Sequence, residues 1–234
     1  MVLAVTPGLA ADFLRTGSDV ATQKATLTVV KSYGTAFLVA PGRLITNAHV
    51  VANHDGFAIL NPVSGAQTPA HVLAVDANRD LALLAADVPG TPLKLAPPAE
   101  KMEPLERVYA IGFPDPEQYG FDRKLAAGWV NEVASENDPR EASMTLAVRA
   151  GNSGSPVFSP DWEVLGVVNG GFVSPLLRDG VQSTSDPLAS VIRLPDLRAF
   201  LQTNGVTPST GATSGALSDV APQLASAVFP VETF

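Results

Sequence analysis

The sequence contains no cysteine and only three histidines in 234 residues. Without cysteine there are no disulfide bonds, no thiolate nucleophile and no cysteine metal site, although the cellular compartment stays open. Three histidines offer few ligands for zinc, so we expect neither a metal nor another cofactor; calcium binding stays open but has no support in the sequence. His54 and His71 are interpreted as surface or strand residues, which leaves His49 for chemistry.

Charged residues are also scarce and unbalanced in sign. They make up 16% of the chain, and the formal net charge is −8. No basic cluster is present, which argues against nucleic acid or an anionic membrane surface as a partner. No apolar run reaches transmembrane length, and residues 1–5 lack the positive charge that opens a signal peptide. The protein either stays inside the cell or begins after processing, and composition does not decide between these.

Apolar residues and turn formers are abundant. Hydrophobic residues make up 46% of the chain, and 19 glycines and 20 prolines separate many short apolar segments. Short strands with turn signals between them predict an all-β barrel or sandwich. Residues 195–203 predict a helix with one apolar face. We therefore expect an amino-terminal extension over 1–25, a β domain over 26–203, and a linker with a carboxyl-terminal extension over 204–234.

One short segment occurs twice in the chain. Residues 18–26 read SDVATQKAT and residues 218–226 read SDVAPQLAS, so six of nine positions are identical. One interpretation is chance similarity between two alanine-rich helices. The other is a repeated element, a helix followed by a strand, which either packs on the β domain or begins a further unit.

The stretch that most clearly suggests chemistry is Gly-Asn-Ser-Gly-Ser-Pro at residues 151–156. A serine between glycines on a tight turn exposes its hydroxyl and lets backbone N–H groups converge beside it. An acyl-transfer nucleophile needs such a turn, because an oxygen must attack and donors must stabilise the carbonyl oxygen that becomes negative. Turns rich in glycine and serine are common, so Ser153 needs partners elsewhere in the chain.

Two upstream residues are suitable partners for Ser153. His49 follows a predicted hairpin, so its imidazole would be presented where a strand ends; a buried core histidine is the alternative interpretation. Asp80 precedes an apolar run that would carry its carboxylate inward, where it needs a partner such as a histidine N–H. Asp76, by contrast, is interpreted as a turn residue that accepts hydrogen bonds from its own backbone.

In the order His49, Asp80 and Ser153, the motifs Thr-Asn-Ala-His, Arg-Asp-Leu-Ala-Leu and Gly-Asn-Ser-Gly-Ser-Pro resemble those of the chymotrypsin-fold serine proteases. The likeness is to the bacterial HtrA/DegP-type branch and extends over about residues 26–200. It implies two six-stranded antiparallel β-barrels with a catalytic cleft between them, and short terminal helices. It also implies that Ser153 is the nucleophile, His49 the general base and Asp80 the residue that orients the imidazole.

The resemblance further implies an oxyanion hole in this turn, formed by backbone N–H groups at Gly151, Asn152 and Ser153. Digestive relatives carry an aspartate at the position of Asn152, and it pairs with a new amino terminus after cleavage. Asn152 cannot form that ion pair, so we do not expect activation by amino-terminal cleavage. Ser155 stands where the family usually has glycine, and we expect its side chain to narrow the site slightly.

The specificity pocket is also inferred from the resemblance. Ala147 would lie at its base and Gly170 with Gly171 in its wall, while Asn169 would begin a segment that offers backbone hydrogen bonds to a substrate strand. An uncharged pocket favours small or medium apolar substrate side chains, such as valine, alanine or leucine. The implied partner is a protein or peptide substrate, cleaved by a serine endopeptidase.

Two other functions stay open. One is a protease-like sensor or binding module whose triad is inactive or regulated by a ligand. The other, an α/β-hydrolase, is disfavoured because residues 151–154 do not match Gly-x-Ser-x-Gly and alternating helices are absent. HtrA-type proteins usually carry a PDZ domain, and about 30 residues after the predicted helix are too few for one. Trimerisation therefore does not carry over, the oligomeric state stays open, and family habit indicates a periplasmic or secreted protein.

Overall fold

The computed structural model describes residues 32–99, 102–134, 138–172, 175–178, 181–184, 188–213 and 215–234. The predicted amino-terminal extension, residues 1–25, lies outside the described residues. The strands, in chain order, are β1 Ser32–Ala40, β2 Arg43–Thr46, β3 Phe57–Leu60, β4 Gln67–Pro69, β5 His71–Asp76, β6 Leu81–Ala85, β7 Arg107–Gly112, β8 Lys124–Glu132, β9 Glu141–Met144, β10 Pro156–Phe158, β11 Val164–Phe172, β12 Pro175–Arg178, β13 Val181–Thr184, β14 Leu188–Arg193 and β15 Val228–Thr233. The helices are α1 Ala48–Val51, α2 Pro116–Tyr119, α3 Leu194–Thr203 and α4 Leu217–Ala227.

The first sheet has seven strands in the order β4-β3-β15-β1-β2-β6-β5. Its two edge strands, β4 and β5, are separated in the chain by Ala70 alone, so the sheet curls until its edges meet. If residues 67–76 are counted as one bent strand, this sheet is a six-stranded barrel. Its inner strands are apolar: four of the five residues of β6 are buried, whereas β5 alternates between exposed and half-buried positions.

The second sheet is a closed barrel of six strands in the order β10-β11-β14-β9-β8-β7. The helix α3 follows β14 directly and buries Leu197, Phe200 and Leu201, the apolar face that the sequence predicts. Leu95 connects the two halves of the chain, because it forms parallel bridges with both Val164 and Thr210. The prediction of an all-β, chymotrypsin-like pair of barrels with short terminal helices is confirmed.

The carboxyl-terminal segment differs from its predicted position outside the β domain. The second copy of the repeat folds as α4 followed by β15, which is the helix-and-strand element that one interpretation of the sequence offered. The strand β15 pairs with β1 on one side and with β3 on the other. A buried inner strand needs a partner along both edges, and β1 and β3 supply these partners for β15. The first sheet therefore includes the carboxyl-terminal segment.

Candidate active site

The candidate histidine is carried by α1, a single helical turn that follows β2. Ala48, Val50 and Val51 are buried, whereas His49 is exposed. The apolar side chains anchor this turn to the first sheet, and the imidazole remains at the surface. The alternative interpretation, a buried core histidine, is wrong.

Asp80 accepts two hydrogen bonds from His49. Its Oδ1 accepts from the backbone N–H of His49 at 2.8 Å, and its Oδ2 lies 2.6 Å from His49 Nδ1. A carboxylate beside Nδ1 keeps a proton on that nitrogen and leaves Nε2 as the position for proton transfer. Asn47 contributes a third link, because its Nδ2 donates to the Asp80 carbonyl at 3.0 Å.

A tight turn positions Asp80, whose φ of 52° is in the left-handed region. As the sequence predicts, Asp76 accepts from its own turn: its Oδ1 receives the N–H groups of Asn78 and Arg79, each at 3.0 Å. The Arg79 guanidinium bonds to Asp76 at 2.6 Å and to Asp196 at 3.2 Å. Burial acts to raise the pKa of Asp76, but the hydrogen bonds and charge of Arg79 outweigh it, so this pKa lies below its ordinary value.

We call residues 151–154 the serine turn. Gly151 and Gly154 have φ values of +89° and +88°, a region that other residues rarely adopt. Neither position has space for a side chain. A Cβ at Gly151 would lie 2.3 Å from the carbonyl oxygen of Phe113, and one at Gly154 would lie 2.0 Å from that of Thr35. Both glycines are therefore required for the conformation that presents Ser153.

Thr35 of β1 connects the serine turn to β2, the strand that precedes His49. Its N–H donates to the Ser153 carbonyl at 2.8 Å, and its Oγ1 donates to the Gly151 carbonyl at 2.7 Å. Its own carbonyl accepts from Thr46 Oγ1 at 2.8 Å, three residues before His49. No pattern in the sequence distinguishes Thr35 from other strand threonines, so sequence analysis missed this role.

Gly34 lies where the two halves of the site meet. A Cβ at this position would lie 2.6 Å from Val50 Cγ1 and 3.3 Å from the carbonyl oxygen of Ser153. Val50 follows His49 directly in α1. The histidine turn and the serine turn therefore both lie against the same glycine, on neighbouring sides of the cleft between the sheets.

The backbone of the serine turn leaves two of the three predicted oxyanion donors uncommitted. Among the described residues, the N–H groups of Gly151 and Ser153 have no hydrogen-bond partner, whereas the Asn152 N–H donates to the Arg149 carbonyl at 3.0 Å. The Ser153 hydroxyl donates to the carbonyl of Asn169 at 3.2 Å. Within the described ranges this is the one hydrogen bond of that hydroxyl.

Ser155 does not narrow the cleft, which corrects the expectation from the sequence. Its side chain is fully buried, and its Oγ lies 2.1 Å from where a Cβ on Gly112 would be. The hydroxyl occupies space that the missing side chain of Gly112 provides inside the second barrel. Its Oγ has no hydrogen-bond partner among the described residues.

The predicted pocket residues lie on two neighbouring segments of the second barrel. Ala147 is exposed in the loop after β9, while Gly170 and Gly171 belong to β11. A Cβ at Gly171 would lie 2.9 Å from Val148 Cγ2, whereas one at Gly170 would have no atom within 4 Å. The two segments thus meet at Gly171 and leave open space beside Gly170.

Glu141, at the start of β9, forms a hydrogen bond with Asn169, the fourth predicted pocket residue. Sequence analysis did not identify Glu141. Its Oε1 accepts from Asn169 Nδ2 at 2.6 Å, and its Oε2 accepts from Ser190 Oγ. The carbonyl of the same asparagine accepts from the Ser153 hydroxyl. An isolated glutamate before an apolar strand carries no sequence signal for this contact.

Arg140, the residue before Glu141, contacts the aspartate half of the site. Its Nη1 donates to the carbonyl of Asn78, two residues before Asp80. Its Nε donates to Asp138 at 2.8 Å, and hydrogen bonds from this guanidinium lower the pKa of Asp138 to about 2. Positions 140 and 141 therefore connect the two halves of the candidate site.

The remaining histidines lie away from these contacts, as the sequence predicts. His71 is exposed on β5, and His54 is half-buried in the loop after α1. In the part of the chain that the structure describes, no three histidine, aspartate or glutamate side chains gather as metal ligands would.

Comparison with known proteins identifies the family. The sequence profile of the trypsin-like peptidase domain matches residues 34–167, more than half of the chain. This chain belongs to the trypsin-like peptidase family. The matched range includes α1 with His49, the turn that carries Asp80, and the serine turn.

Relatives of this trypsin-like peptidase include probable periplasmic serine endoproteases described as DegP-like. The protein of Halomonas elongata is 30% identical in an alignment of 144 residues that covers 58% of this chain and 29% of that protein. The protein of Ectopseudomonas mendocina is 32% identical over 143 residues, with the same two shares. The chain thus spans about 29% of the length of the curated relatives it matches.

Among solved structures, the Rv3671c protease from M. tuberculosis in its active form resembles the trypsin-like peptidase described here. The TM-score is 0.57 at 25% identity, and the match covers 76% of each chain. The trypsin-like protease family that the sequence predicts is confirmed, and the matched relatives are described as DegP-like serine endoproteases. The family acts on proteins or peptides. Of the helices in the described residues, none has the length and apolar character to cross a membrane.

Proposed function

We propose that this chain hydrolyses peptide bonds with a triad of His49, Asp80 and Ser153, through a covalent acyl-enzyme. The observation that carries the proposal is the pair of hydrogen bonds from His49 to Asp80, at 2.8 and 2.6 Å, beside a serine on a strained glycine turn. An aspartate bonded to both the ring and the backbone of a histidine holds the imidazole in one orientation. Such an imidazole is suited to act as a general base.

The proposed reaction has two stages. In the first, Ser153 Oγ attacks the scissile carbonyl carbon while His49 Nε2 takes the hydroxyl proton. His49 then gives that proton to the leaving amine as the carbon–nitrogen bond breaks, which leaves an ester on Ser153. In the second stage a water molecule, deprotonated by His49, attacks the ester and releases the carboxylate product. Asp80 stabilises the imidazolium in both stages and keeps its own charge.

The oxyanion of each stage is assigned to the N–H groups of Gly151 and Ser153. Both are uncommitted among the described residues, and both lie on the turn that carries the nucleophile. Removing one such donor typically costs about 3 kcal/mol of transition-state stabilisation. The Asn152 N–H is engaged with Arg149 and would have to leave that bond to contribute.

The substrate preference we propose is for small or medium apolar residues before the scissile bond. Ala147 is uncharged, and a Cβ at Gly170 would have no atom within 4 Å, so there is open space beside Gly170. Glu141 is the carboxylate in contact with the pocket residue Asn169, and both its oxygens already accept hydrogen bonds from neutral donors. The side of β11 beyond Val168 is not covered by β10, so an extended substrate can pair there as an added strand.

One observation favours a second candidate, a site that is inactive until a ligand binds. The Ser153 hydroxyl donates to the Asn169 carbonyl, and among the described residues it makes no hydrogen bond to His49. An active serine must give its proton to the histidine, so its side chain has to rotate away from Asn169 first. A ligand or substrate strand on β11 would compete for that carbonyl and release the hydroxyl.

A periplasmic or secreted location is part of the same proposal. It is supported by the DegP-like relatives, which are described as periplasmic. Substrates would then be exported proteins that expose extended apolar segments.

Labelling with a fluorophosphonate probe tests the catalytic proposal, with casein hydrolysis measured in parallel. We expect wild type to be labelled and to cleave casein, and Ser153→Ala to do neither, with a loss of activity on the order of 10⁶-fold. Ser155→Ala is the matched control, because it removes a buried hydroxyl without a partner and should be labelled normally. Well-folded wild type that stays unlabelled would favour the ligand-regulated candidate.

A peptide series with valine, alanine, leucine, arginine or lysine before the scissile bond tests the preference separately. We expect the first three to be cleaved faster, because the described residues of the proposed pocket offer no free carboxylate to pair with a cation. Cleavage confined to the basic peptides would disprove the apolar pocket but leave the triad proposal intact.

A further inference from the structure

The turn that carries Asp80 has a backbone conformation that needs support from its surroundings. We call residues 76–80 the aspartate turn. Asp80 has a φ of 52°, which is unfavourable for a residue with a side chain. Such a conformation persists only where neighbouring groups determine it. The groups that bond to this turn therefore help to fix the position of the Asp80 carboxylate.

The first sheet and the turn itself supply part of this support. Asn47 Nδ2 donates to the Asp80 carbonyl at 3.0 Å, and Asp76 accepts two backbone N–H groups of the turn, each at 3.0 Å. These contacts fix the shape of the turn and attach it to the histidine side of the site. They do not fix its distance from Ser153, which lies directly before β10 of the second barrel.

Two arginine side chains join the aspartate turn to the second barrel. Arg140, directly before β9, donates from Nη1 to the carbonyl of Asn78. Arg79, inside the turn, donates from Nε to Asp196 Oδ1 at 3.2 Å. Asp196 lies in the first turn of α3, the helix that packs on β11 and β14. Both contacts therefore cross from one half of the candidate site to the other.

The Arg140 side chain is itself anchored to the second barrel. Its Nε donates to Asp138 at 2.8 Å, and its Nη2 bonds to the same carboxylate. Its backbone carbonyl accepts from the N–H of Arg193 in β14 at 3.0 Å. A guanidinium that bonds to a carboxylate through two nitrogens keeps one orientation. The third nitrogen, Nη1, is therefore directed at the Asn78 carbonyl.

The same short segment also reaches the nucleophile. Glu141 follows Arg140 directly, and its carboxylate accepts from Asn169 Nδ2 at 2.6 Å. The Asn169 carbonyl accepts from the Ser153 hydroxyl at 3.2 Å. Two neighbouring residues at the start of β9 are thus bonded to both sides of the cleft. They give the aspartate turn and the nucleophile a common point of attachment.

We propose that Arg140 and the Arg79–Asp196 pair are positioning groups that hold the aspartate turn at a set distance from the serine turn. By fixing the turn they fix Asp80, and through it the orientation of His49. The proposal rests on the catalytic proposal above, because the position of Asp80 matters for activity only if its carboxylate orients the general base.

The kinetics of Arg140→Ala test this role. We expect kcat to fall by about tenfold and KM to stay within about twofold, because a small displacement of a catalytic group is costly and no hydrogen bond of Arg140 within the described residues reaches the proposed pocket. Arg140→Lys should also lose activity. An ammonium is a point charge and cannot bond to Asp138 and to the Asn78 carbonyl as the planar guanidinium does.

Arg193→Ala is the matched control for Arg140→Ala. Arg193 Nη1 donates to the carbonyl of Pro139 at 2.8 Å, so it belongs to the same region of the second barrel. In the part of the chain that the structure describes, its side chain makes no hydrogen bond to the aspartate turn. We expect Arg193→Ala to keep the kinetics of wild type.

The Nδ1 proton of His49 gives a readout that a merely structural role would not move. A proton between an imidazole and a carboxylate resonates far downfield, and in a chain with three histidines its signal can be assigned by its loss in Asp80→Asn. In the full chain labelled with 15N-histidine, we expect the signal in wild type and in Arg193→Ala. In Arg140→Ala it should be weaker and exchange faster with water, while the protein stays folded by circular dichroism.

Asp196→Ala tests whether the two links act on the same turn. In this variant Arg79 loses its acceptor on α3, and we expect kcat to fall by about threefold. The double variant Arg140→Ala/Asp196→Ala should lose at least about 100-fold, more than the product of the single losses, because in each single variant the remaining link still holds the turn.

Three results would overturn the proposal. The first is a kcat of Arg140→Ala equal to that of Arg193→Ala. The second is a wild-type kcat in Arg140→Lys, since a positive charge alone would then be sufficient. The third is an unchanged His49 signal in the double variant. If wild type cleaved no peptide but showed the signal, the catalytic proposal would fail, and the signal in Arg140→Ala would still decide whether this arginine positions Asp80.

Discussion

The two halves of the candidate site are built by different means. In the first sheet, side chains hold the geometry: the Asp80 carboxylate bonds to His49 at 2.6 Å, and the Asn47 amide bonds to the Asp80 carbonyl at 3.0 Å. In the second barrel, the backbone holds it. Ser153 is presented by two glycines in a left-handed conformation, and its own carbonyl accepts from a strand N–H at 2.8 Å.

This difference indicates how each half should fail. A side-chain contact can be removed by a substitution of equal size, which leaves the fold and abolishes the chemistry. A backbone geometry can be disturbed only by adding atoms, which damages the fold and the chemistry together. The ratio of lost activity to lost stability should therefore be high for changes in the first half and lower for changes in the second.

Asp80→Asn should give the largest effect and the clearest case of chemistry lost without the fold. The amide keeps one acceptor for the His49 backbone N–H but presents a poor partner to Nδ1, so the imidazole takes the wrong tautomer. We expect kcat to fall by about 10⁴-fold, with a small change in Tm. The measurement is peptide hydrolysis together with thermal unfolding.

Asp76→Asn is the matched control for that experiment. Asp76 lies in the same turn and bonds to Arg79, but it makes no contact with the imidazole. Its substitution should leave kcat within a few-fold of wild type. Equal losses in the two variants would show that the turn, and not the bond to the ring, is what matters.

Gly154→Ala should damage both the fold and the chemistry in the second half. The new Cβ would lie 2.0 Å from the Thr35 carbonyl oxygen, and the residue has a φ of +88°. We expect a loss of at least about 1–2 kcal/mol in the free energy of unfolding from the backbone conformation alone. A displaced serine turn should lower kcat by about 10²-fold, measured by chemical denaturation and peptide hydrolysis.

Gly65→Ala separates the two causes of that loss. Gly65 has a φ of +69°, but a Cβ there would have no atom within 4 Å. It should therefore lose stability through its backbone conformation and keep full activity. If Gly154→Ala behaved in the same way, the close approach of Thr35 to the serine turn would not be needed for catalysis.

The same difference explains how much could be predicted from the sequence. The residues of the site stand in short local motifs, and the turn chemistry of Asp76 and the apolar face of α3 are also local. These were predicted because neighbouring residues determine them. The long-range contacts of Thr35 and Glu141 were missed, since they join residues that are distant in the sequence and carry no pattern of their own.

The position of β15 shows the same limit at the level of the fold. The repeated segment suggests a helix followed by a strand near the end of the chain, but it does not indicate which strands would pair with it. The segment was therefore expected outside the β domain, and yet it pairs with β1 near the other end of the described chain.

Glu141 is an exception within the second half, as is the Thr35 hydroxyl that bonds to the Gly151 carbonyl, because there a side chain holds the geometry. It connects Asn169 and Ser190, and the Asn169 carbonyl accepts from the nucleophile. Glu141→Ala removes a charged hydrogen-bond acceptor. The loss should lower the free energy of unfolding by about 1.5 kcal/mol and kcat/KM by about tenfold. This is the smallest of the three effects, since the backbone of β11 still holds Asn169 in the barrel.

Glu141→Gln distinguishes a positioning role from a purely structural one. The glutamine oxygen can still accept from Asn169, and the Ser190 hydroxyl can turn to accept from the new amide, so both contacts survive without the charge. We expect kcat/KM for Glu141→Gln to be within about threefold of wild type at an unchanged Tm, whereas Glu141→Ala loses about tenfold in activity together with some stability. If alanine and glutamine lost activity equally, the charge itself would matter, and Glu141 would belong to the substrate pocket instead of supporting it.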